Sequence, residues 1–283
     1  KSIKLYEKEN FNKGIIKCLN NIAINYNEYY KDIFKAKEYF SKSLEICEKY
    51  GCIDDEPLIL GNLSIIYFQS YDYDTSEKYL KEDLDIAISI EDNSNKFFSY
   101  NWLMTIGMRT SNFKKIEYYY SKTLKLIEGK DEEVPFKYEY LVISNFRNFI
   151  YCEYDEVYKS LEEIEFKENN EISESVYNDF YLLNTMLEII NNKELSTERI
   201  DELLTEEKII TAYSEDLDEM LEIVILLHSN GKEKLARYMF DKIKDKKYFS
   251  IENTLVKGKF LYVKNLLLEN PNIQQVKRIL YQI

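Results

Sequence analysis

A single histidine, a single tryptophan, three prolines and seven glycines are all that 283 residues contain of these types. Each scarcity excludes something. With His228 alone, most metal sites and most nucleophile–base pairs disappear together. So few turn-formers cannot punctuate the short elements of a sandwich, a barrel or a doubly wound sheet, which leaves long helices joined by short turns. Basic residues are also short: 38 Lys and Arg stand against 51 Asp and Glu, and the net charge of −13 repels a phosphate backbone. No apolar run reaches the roughly 18 residues of a membrane span, and no signal-peptide core follows Lys1. The chain therefore reads as soluble and cytoplasmic, away from the membrane. Cys18, Cys47, Cys52 and Cys152 lie too far apart, with no histidine beside them, for a four-ligand zinc site, and read as packing residues in a reducing compartment. The acidic residues follow helix faces without a phosphate loop or catalytic motif. No catalytic residue, metal or cofactor is expected, and the chain is not read as an enzyme.

What is present is a repeat. Ala36, Phe40 and Ser43 share one helical face, and the same spacing returns in Ser76, Leu80 and Asp83, in Ile116, Tyr120 and Thr123, and in Val157, Leu161 and Ile164. Ile200 with Leu204, Ala236 with Phe240 and Ile243, and Val276 with Leu280 and Ile283 continue it, at steps of 40, 40, 41, 43, 36 and 40 residues. A second amphipathic helix precedes each of these, marked by Leu19, Ile22, Ala23 and Tyr26, by Leu60, Leu63, Ser64 and Tyr67, and by Leu221, Val224, Ile225 and His228. Polar turns such as Ser70 to Asp74 join the two. Each unit is a helix–turn–helix hairpin, and second helices are expected to start near residues 33, 74, 113, 154, 196, 232 and 272.

The stretch from Leu19 to Tyr26, with Ala36 to Leu44, resembles the tetratricopeptide repeat, whose first helix reads large–x–x–aliphatic–small–x–x–Tyr and whose second reads small–x–x–x–aromatic–x–x–small. The resemblance is good in units one and two, fair in three and six, and weak in four, five and seven. It implies an all-α, right-handed α-solenoid of about seven hairpins, roughly 14–50, 56–91, 94–128, 134–167, 172–208, 213–245 and 250–283, together one repeat domain. Its period near 40 exceeds the usual value of about 34. Such a period is similar to that of the peptide-sensing regulators of Gram-positive bacteria (Rap, Rgg, NprR, PlcR, PrgX; RstA-like members suit this Lys-, Asn-, Ile- and Tyr-rich composition), and also to that of kinesin light chains and scaffold proteins. Residues 1–10 align with the end of a preceding second helix, so an N-terminal domain is expected to be missing. In the regulators that domain binds DNA.

The resemblance further implies that first helices line a concave wall, where asparagine amides clamp a peptide backbone through paired donors and an acceptor. Counting along the repeat nominates Asn20, Asn21, Asn62, Asn101, Asn145 and Asn184 as peptide-binding residues, with Trp102, Arg109 and Gln69, and Glu28 close by. Trp102 is either an anchor of that wall or a core residue. In the run Tyr118, Tyr119 and Tyr120 one ring must face the core. Residues 231–283 carry 12 Lys and Arg against 5 Asp and Glu, while the rest is strongly acidic. With the weak C-terminal repeats, this charge split points to a homodimer through residues from about 190 onward. The reading is a peptide-binding regulatory domain of an intracellular quorum-sensing transcriptional regulator, whose ligand is a short peptide or a partner-protein segment and which meets DNA only through the missing domain. The alternatives are a constitutive interaction scaffold and the sensory part of an N-terminal enzyme.

Overall fold

A computed structural model describes residues 12–30, 32–52, 55–127, 137–163, 174–191, 196–203, 214–244 and 254–267. Every regular element among them is an α-helix: α1 (Asn12–Glu28), α2 (Ile33–Tyr50), α3 (Glu56–Gln69), α4 (Tyr73–Ser89), α5 (Asn93–Arg109), α6 (Phe113–Ile127), α7 (Lys137–Ile150), α8 (Tyr154–Glu163), α9 (Glu174–Ile190), α10 (Thr197–Leu203), α11 (Ser214–Ser229), α12 (Glu233–Lys244) and α13 (Thr254–Leu266). Second helices thus start at 33, 73, 113, 154, 197 and 233. The expected start near 272, and the repeat end placed at 1–10, lie outside the described residues. No helix among those described is long and apolar enough to cross a membrane.

The chain divides into two compact units, residues 1–135 and 136–283. In the first, α1 packs on α2, α3 on α4 and α5 on α6, and α2 with α3 and α4 with α5 join one pair to the next. In the second, α7 pairs with α8 and α11 with α12; α9 packs on α7, α8 and α11, α10 on α12, and α13 on α11.

The turns explain how helices reverse with so little glycine. After α3, the N–H groups of Ser70, Tyr71 and Asp72 donate to the carbonyls of Ile66, Phe68 and Tyr67 at 3.2, 2.8 and 3.0 Å. The same three bonds recur after α5, α7 and α11, and the middle residue takes the left-handed conformation each time: Tyr71, Ser111, Cys152 and Gly231 have φ of 60°, 52°, 60° and 73°. This is a helix C-cap of the Schellman kind, which satisfies the last carbonyls. In the first unit the next residue is a side-chain cap as well. Asp72 accepts from the Thr75 N–H and Asn112 from the Lys115 N–H, both at 3.1 Å, while Asp32 accepts from the Lys35 N–H at 3.0 Å. Each such cap contributes about 1 kcal/mol, and the Lys35 N–H holds the Asp32 carboxyl below its ordinary value. Cys152 is therefore an exposed turn residue, contrary to the expectation that all four cysteines pack; Cys47 is buried, and Cys18 and Cys52 are half-buried. Burial pushes the Cys47 thiol up to about 12, which makes it unreactive.

Small residues let paired helices approach. Ala23 and Ala36 are fully buried in the core shared by the first two hairpins, with Phe40, Leu60 and Leu63. In the second hairpin Ser64 and Ser76 take these positions, and Ser76 Oγ donates to the Ser64 carbonyl at 2.8 Å. The third has Met104 and Ile116 there, and the space is recovered one turn on. Gly107 stands where the earlier hairpins have Tyr26 and Tyr67, and a Cβ on it would meet Ile116 Cγ1 at 3.1 Å and the Ile116 nitrogen at 3.2 Å. This rearrangement decides the tyrosine run. Tyr26 stacks on Tyr39 and Tyr67 tilts on Tyr79, but their counterpart Tyr119 has no ring at Gly107 and pairs with Tyr100 instead. Tyr119 is consequently buried, whereas Tyr120, placed on the core-facing series from the sequence, is half-buried and Tyr118 is exposed. Ala236 is fully buried, as its place in the repeat predicts.

Candidate functional site

In the first unit the first helices lie side by side in the order α1, α3, α5. Asn62 Nδ2 donates to Asn20 Oδ1 at 3.1 Å and Lys13 lies 3.9 Å from Asp55, which tie α1 to α3. Phe98 covers Gly61, whose missing side chain leaves room for its ring, and Trp102 meets Phe68 edge-on at 5.0 Å, which tie α3 to α5.

One accessible face runs across the three. Lys17, Asn21 and Ile24 on α1 have Leu58, Asn62 and Ile65 as counterparts on α3 and Phe98, Trp102 and Thr105 on α5, at steps of 41 and 40 residues. Helical spacing puts each trio one turn from the next. Leu58 is 60% exposed, Asn21 and Lys17 are exposed, and the other six are half-buried. Trp102 thus occupies the position of Asn21 and Asn62, its ring braced by Phe68 and Phe98.

The face carries little charge. The 48 residues of α1, α3 and α5 hold only Lys13, Lys17, Glu28, Glu56, Lys96 and Arg109, whereas 31% of the whole chain is charged. Charge-poor, amide- and aromatic-bearing surface has the composition of an interface core.

The nominated residues separate by environment. Asn21 is exposed, and its backbone carbonyl accepts from Asn25 Nδ2 at 2.7 Å. Asn62 is half-buried and Asn20 buried, paired with each other. Asn101 is buried, and Thr123 Oγ1 lies 3.4 Å from its Oδ1, so it ties α5 to α6. Gln69 is buried at the C-terminal end of α3, while Arg109 is half-buried and Glu28 exposed. Asn145 and Asn184 belong to the second unit. Asn145 is only 1% exposed, and its Nδ2 donates to Ser160 Oγ at 3.0 Å across α7 and α8. Counted back from the turn, which ends at Glu153 as the previous one ends at Asn112, it matches Met104, Ser64 and Ala23, the seam positions. Like Asn101, from which it was counted, it stands on the packed side of its helix and off the accessible face. Asn184 is half-buried, with Nδ2 3.4 Å from Glu188 Oε1 one turn on.

Sequence reasoning missed Leu58, Ile65 and Phe98, although their register with Asn62 and Trp102 was available in the repeat. No three His, Cys, Asp or Glu residues among those described gather closely enough to hold a metal ion. No protein-family model matches the sequence, and no curated protein resembles it significantly.

Proposed function

We propose that this chain is a peptide-binding, tetratricopeptide-like regulatory domain that acts by binding rather than catalysis. In this reading its hairpins form a right-handed solenoid with a period near 40 residues, and α1, α3 and α5 present the wall on which an extended peptide lies. The observation that carries it is the charge-poor face in which Asn21, Asn62 and Trp102 stand in register. Amides at helical spacing offer donors and acceptors to a peptide backbone, and the braced indole offers an aromatic anchor to a side chain. The repeat length and the weak repeats beyond residue 190 extend the proposal to a cytoplasmic, homodimeric regulator of the quorum-sensing kind, with DNA contacted through another domain. Sedimentation at micromolar concentration reads the dimer directly, and a monomer there removes that part.

Binding is tested by titrating a pool of short synthetic peptides against the parent chain, Asn21→Ala and Asn62→Ala, with melting curves for each. A bound peptide group left without its amide costs about 1–3 kcal/mol, roughly a five- to 150-fold loss of affinity. Asn21→Ala is expected to lose affinity with an unchanged melting midpoint, because Asn21 is exposed. Asn62→Ala should lose both affinity and some stability, since it orphans the buried Asn20. Equal affinity in both variants ends the amide-clamp reading, and a constitutive scaffold then becomes the better account.

A further inference from the structure

Position 83 bears a carboxylate where its counterparts bear a hydroxyl. Ser43, Asp83 and Thr123 occupy the same place in α2, α4 and α6, 40 residues apart, and all three are buried. Ser43 Oγ donates to the Ile16 carbonyl at 3.2 Å and Thr123 Oγ1 to the Tyr119 carbonyl at 3.1 Å, so both hydroxyls are satisfied within their own hairpins. Asp83 reaches into the next hairpin instead. Ser99 Oγ of α5 donates to its Oδ2 at 2.5 Å, while Oδ1 is buried with no protein group donating to it.

The charges nearby do not help it. On α3 the only charged residue is Glu56, which faces Glu48 and Glu82. On α5, Lys96 is engaged by Asn93 and Arg109 lies at the far end, which leaves the N-cap Asp92, whose charge repels that of Asp83. Lys115 of α6 is held by Glu77, which also takes Lys81, and Lys78 pairs with Glu82 on α4 itself. A buried carboxylate with half of its acceptors unmet, and with no cation beside it among the described residues, is costly in ionised form.

We propose that Asp83 is a proton-operated latch between the second and third hairpins: protonated, the neutral carboxyl stays seated at the α4–α5 junction beside Ser99, and ionised, its buried charge loosens that junction in spite of the Ser99 bond. The helix it controls is the one that displays the aromatic part of the accessible face. Ser99 follows Phe98 directly and stands one turn before Trp102. Burial pushes Asp83 up to about 6 from the ordinary 3.8, against the pull of the Ser99 hydrogen bond and with a further push from Asp92. The latch therefore closes in mild acid and slackens as the pH rises through about 6.

Trp102 is the chain's only tryptophan and packs on Phe68 of α3, so its emission reports on the junction without any ligand. That keeps the test separate from the peptide reading. Across pH 5–8 the full chain is expected to show one transition near pH 6, with emission moving to longer wavelength on the alkaline side. Asp83→Asn should hold the acid-side emission throughout. Ser99→Ala removes the bond that favours the ionised form, so its midpoint should move upward. Should Asp83→Asn fail to fold by circular dichroism, Asp83→Ser, which copies Ser43, carries the same expectation. A flat profile in the parent chain, or an unchanged transition in the folded Asp83 variant, overturns the latch.

Discussion

Hairpins of the first unit and the α7–α8 hairpin of the second reverse direction through the same turn yet seal their seams by different means. In residues 12–127 the paired helices approach because bulk is missing: Ala23 with Ala36, Ser64 with Ser76, and Gly107 under Ile116. At the corresponding place α7 carries Asn145, and its amide closes the gap by bonding Ser160. A seam made of small side chains is intolerant of added volume. A seam made of a part-buried hydrogen bond is intolerant of a missing partner. One helix–turn–helix plan thus admits two solutions, and only the first carries the small-residue signature that a repeat search looks for. This is why the repeat signature fades in the α7–α8 hairpin although the helix pair is formed, and it returns at Ala236.

The comparison breaks most visibly at Ala36. It is fully buried against the apolar core of the first two hairpins, so Ala36→Leu forces added methylenes into a space already filled and should cost about 3 kcal/mol. Chemical denaturation reads the loss, and an unchanged midpoint would mean that the helices part easily there. At Asn145 the weakness is of the other kind. Asn145→Ala strands the Ser160 hydroxyl and should cost about 2 kcal/mol, and Asn145→Ala with Ser160→Ala should recover part of it, because removing both partners is cheaper than removing one. Additive losses in that pair would show that the bond contributes nothing.

Helix positions were largely legible in the sequence because two local signals coincide there. An Asp or Asn stands just before α2, α4 and α6, and a small or β-branched residue follows four positions later, as in Asp32 with Ala36, Asp72 with Ser76 and Asn112 with Ile116. Capping chemistry and seam packing agree on the same boundary, so starts near 33, 74, 113, 154, 196 and 232 fall within one residue of those found. The faces within helices were less legible. Counting asparagines forward placed Asn145 three residues past the counterpart of Asn101, still on the same side of the helix, and that side is the packed one, since Asn101 and Asn145 are both buried. Choosing Tyr120 over Tyr119 failed because the deciding residue, Gly107, lies on the opposite helix. Asp83 was visible as a member of the repeat, but nothing in one sequence says whether an acidic residue at a small position swings outward or stays buried.

The smallest expected effect tests what the two units share. Ser111 and Cys152 hold left-handed φ values of 52° and 60°, a conformation that crowds the Cβ of any L-residue. Gly231 holds 73° in the equivalent turn, with open space where a Cβ would sit. The backbone, rather than a neighbouring atom, therefore sets the cost. Ser111→Gly and Cys152→Gly should each gain about 0.5–1 kcal/mol, the strain relieved less the extra freedom that glycine gives the unfolded chain. Gly231→Ala should lose about 1 kcal/mol by the same reasoning. Melting midpoints would move by about 2 °C per kcal/mol in a chain of this size, so differential scanning calorimetry on the three variants suffices. Gains of similar size at Ser111 and Cys152 would show one turn geometry operating under both kinds of seam. A gain at Ser111 with a loss at Cys152 would mean that the second unit relies on the Cys152 side chain, which raises the nearby Tyr154 hydroxyl above its ordinary value.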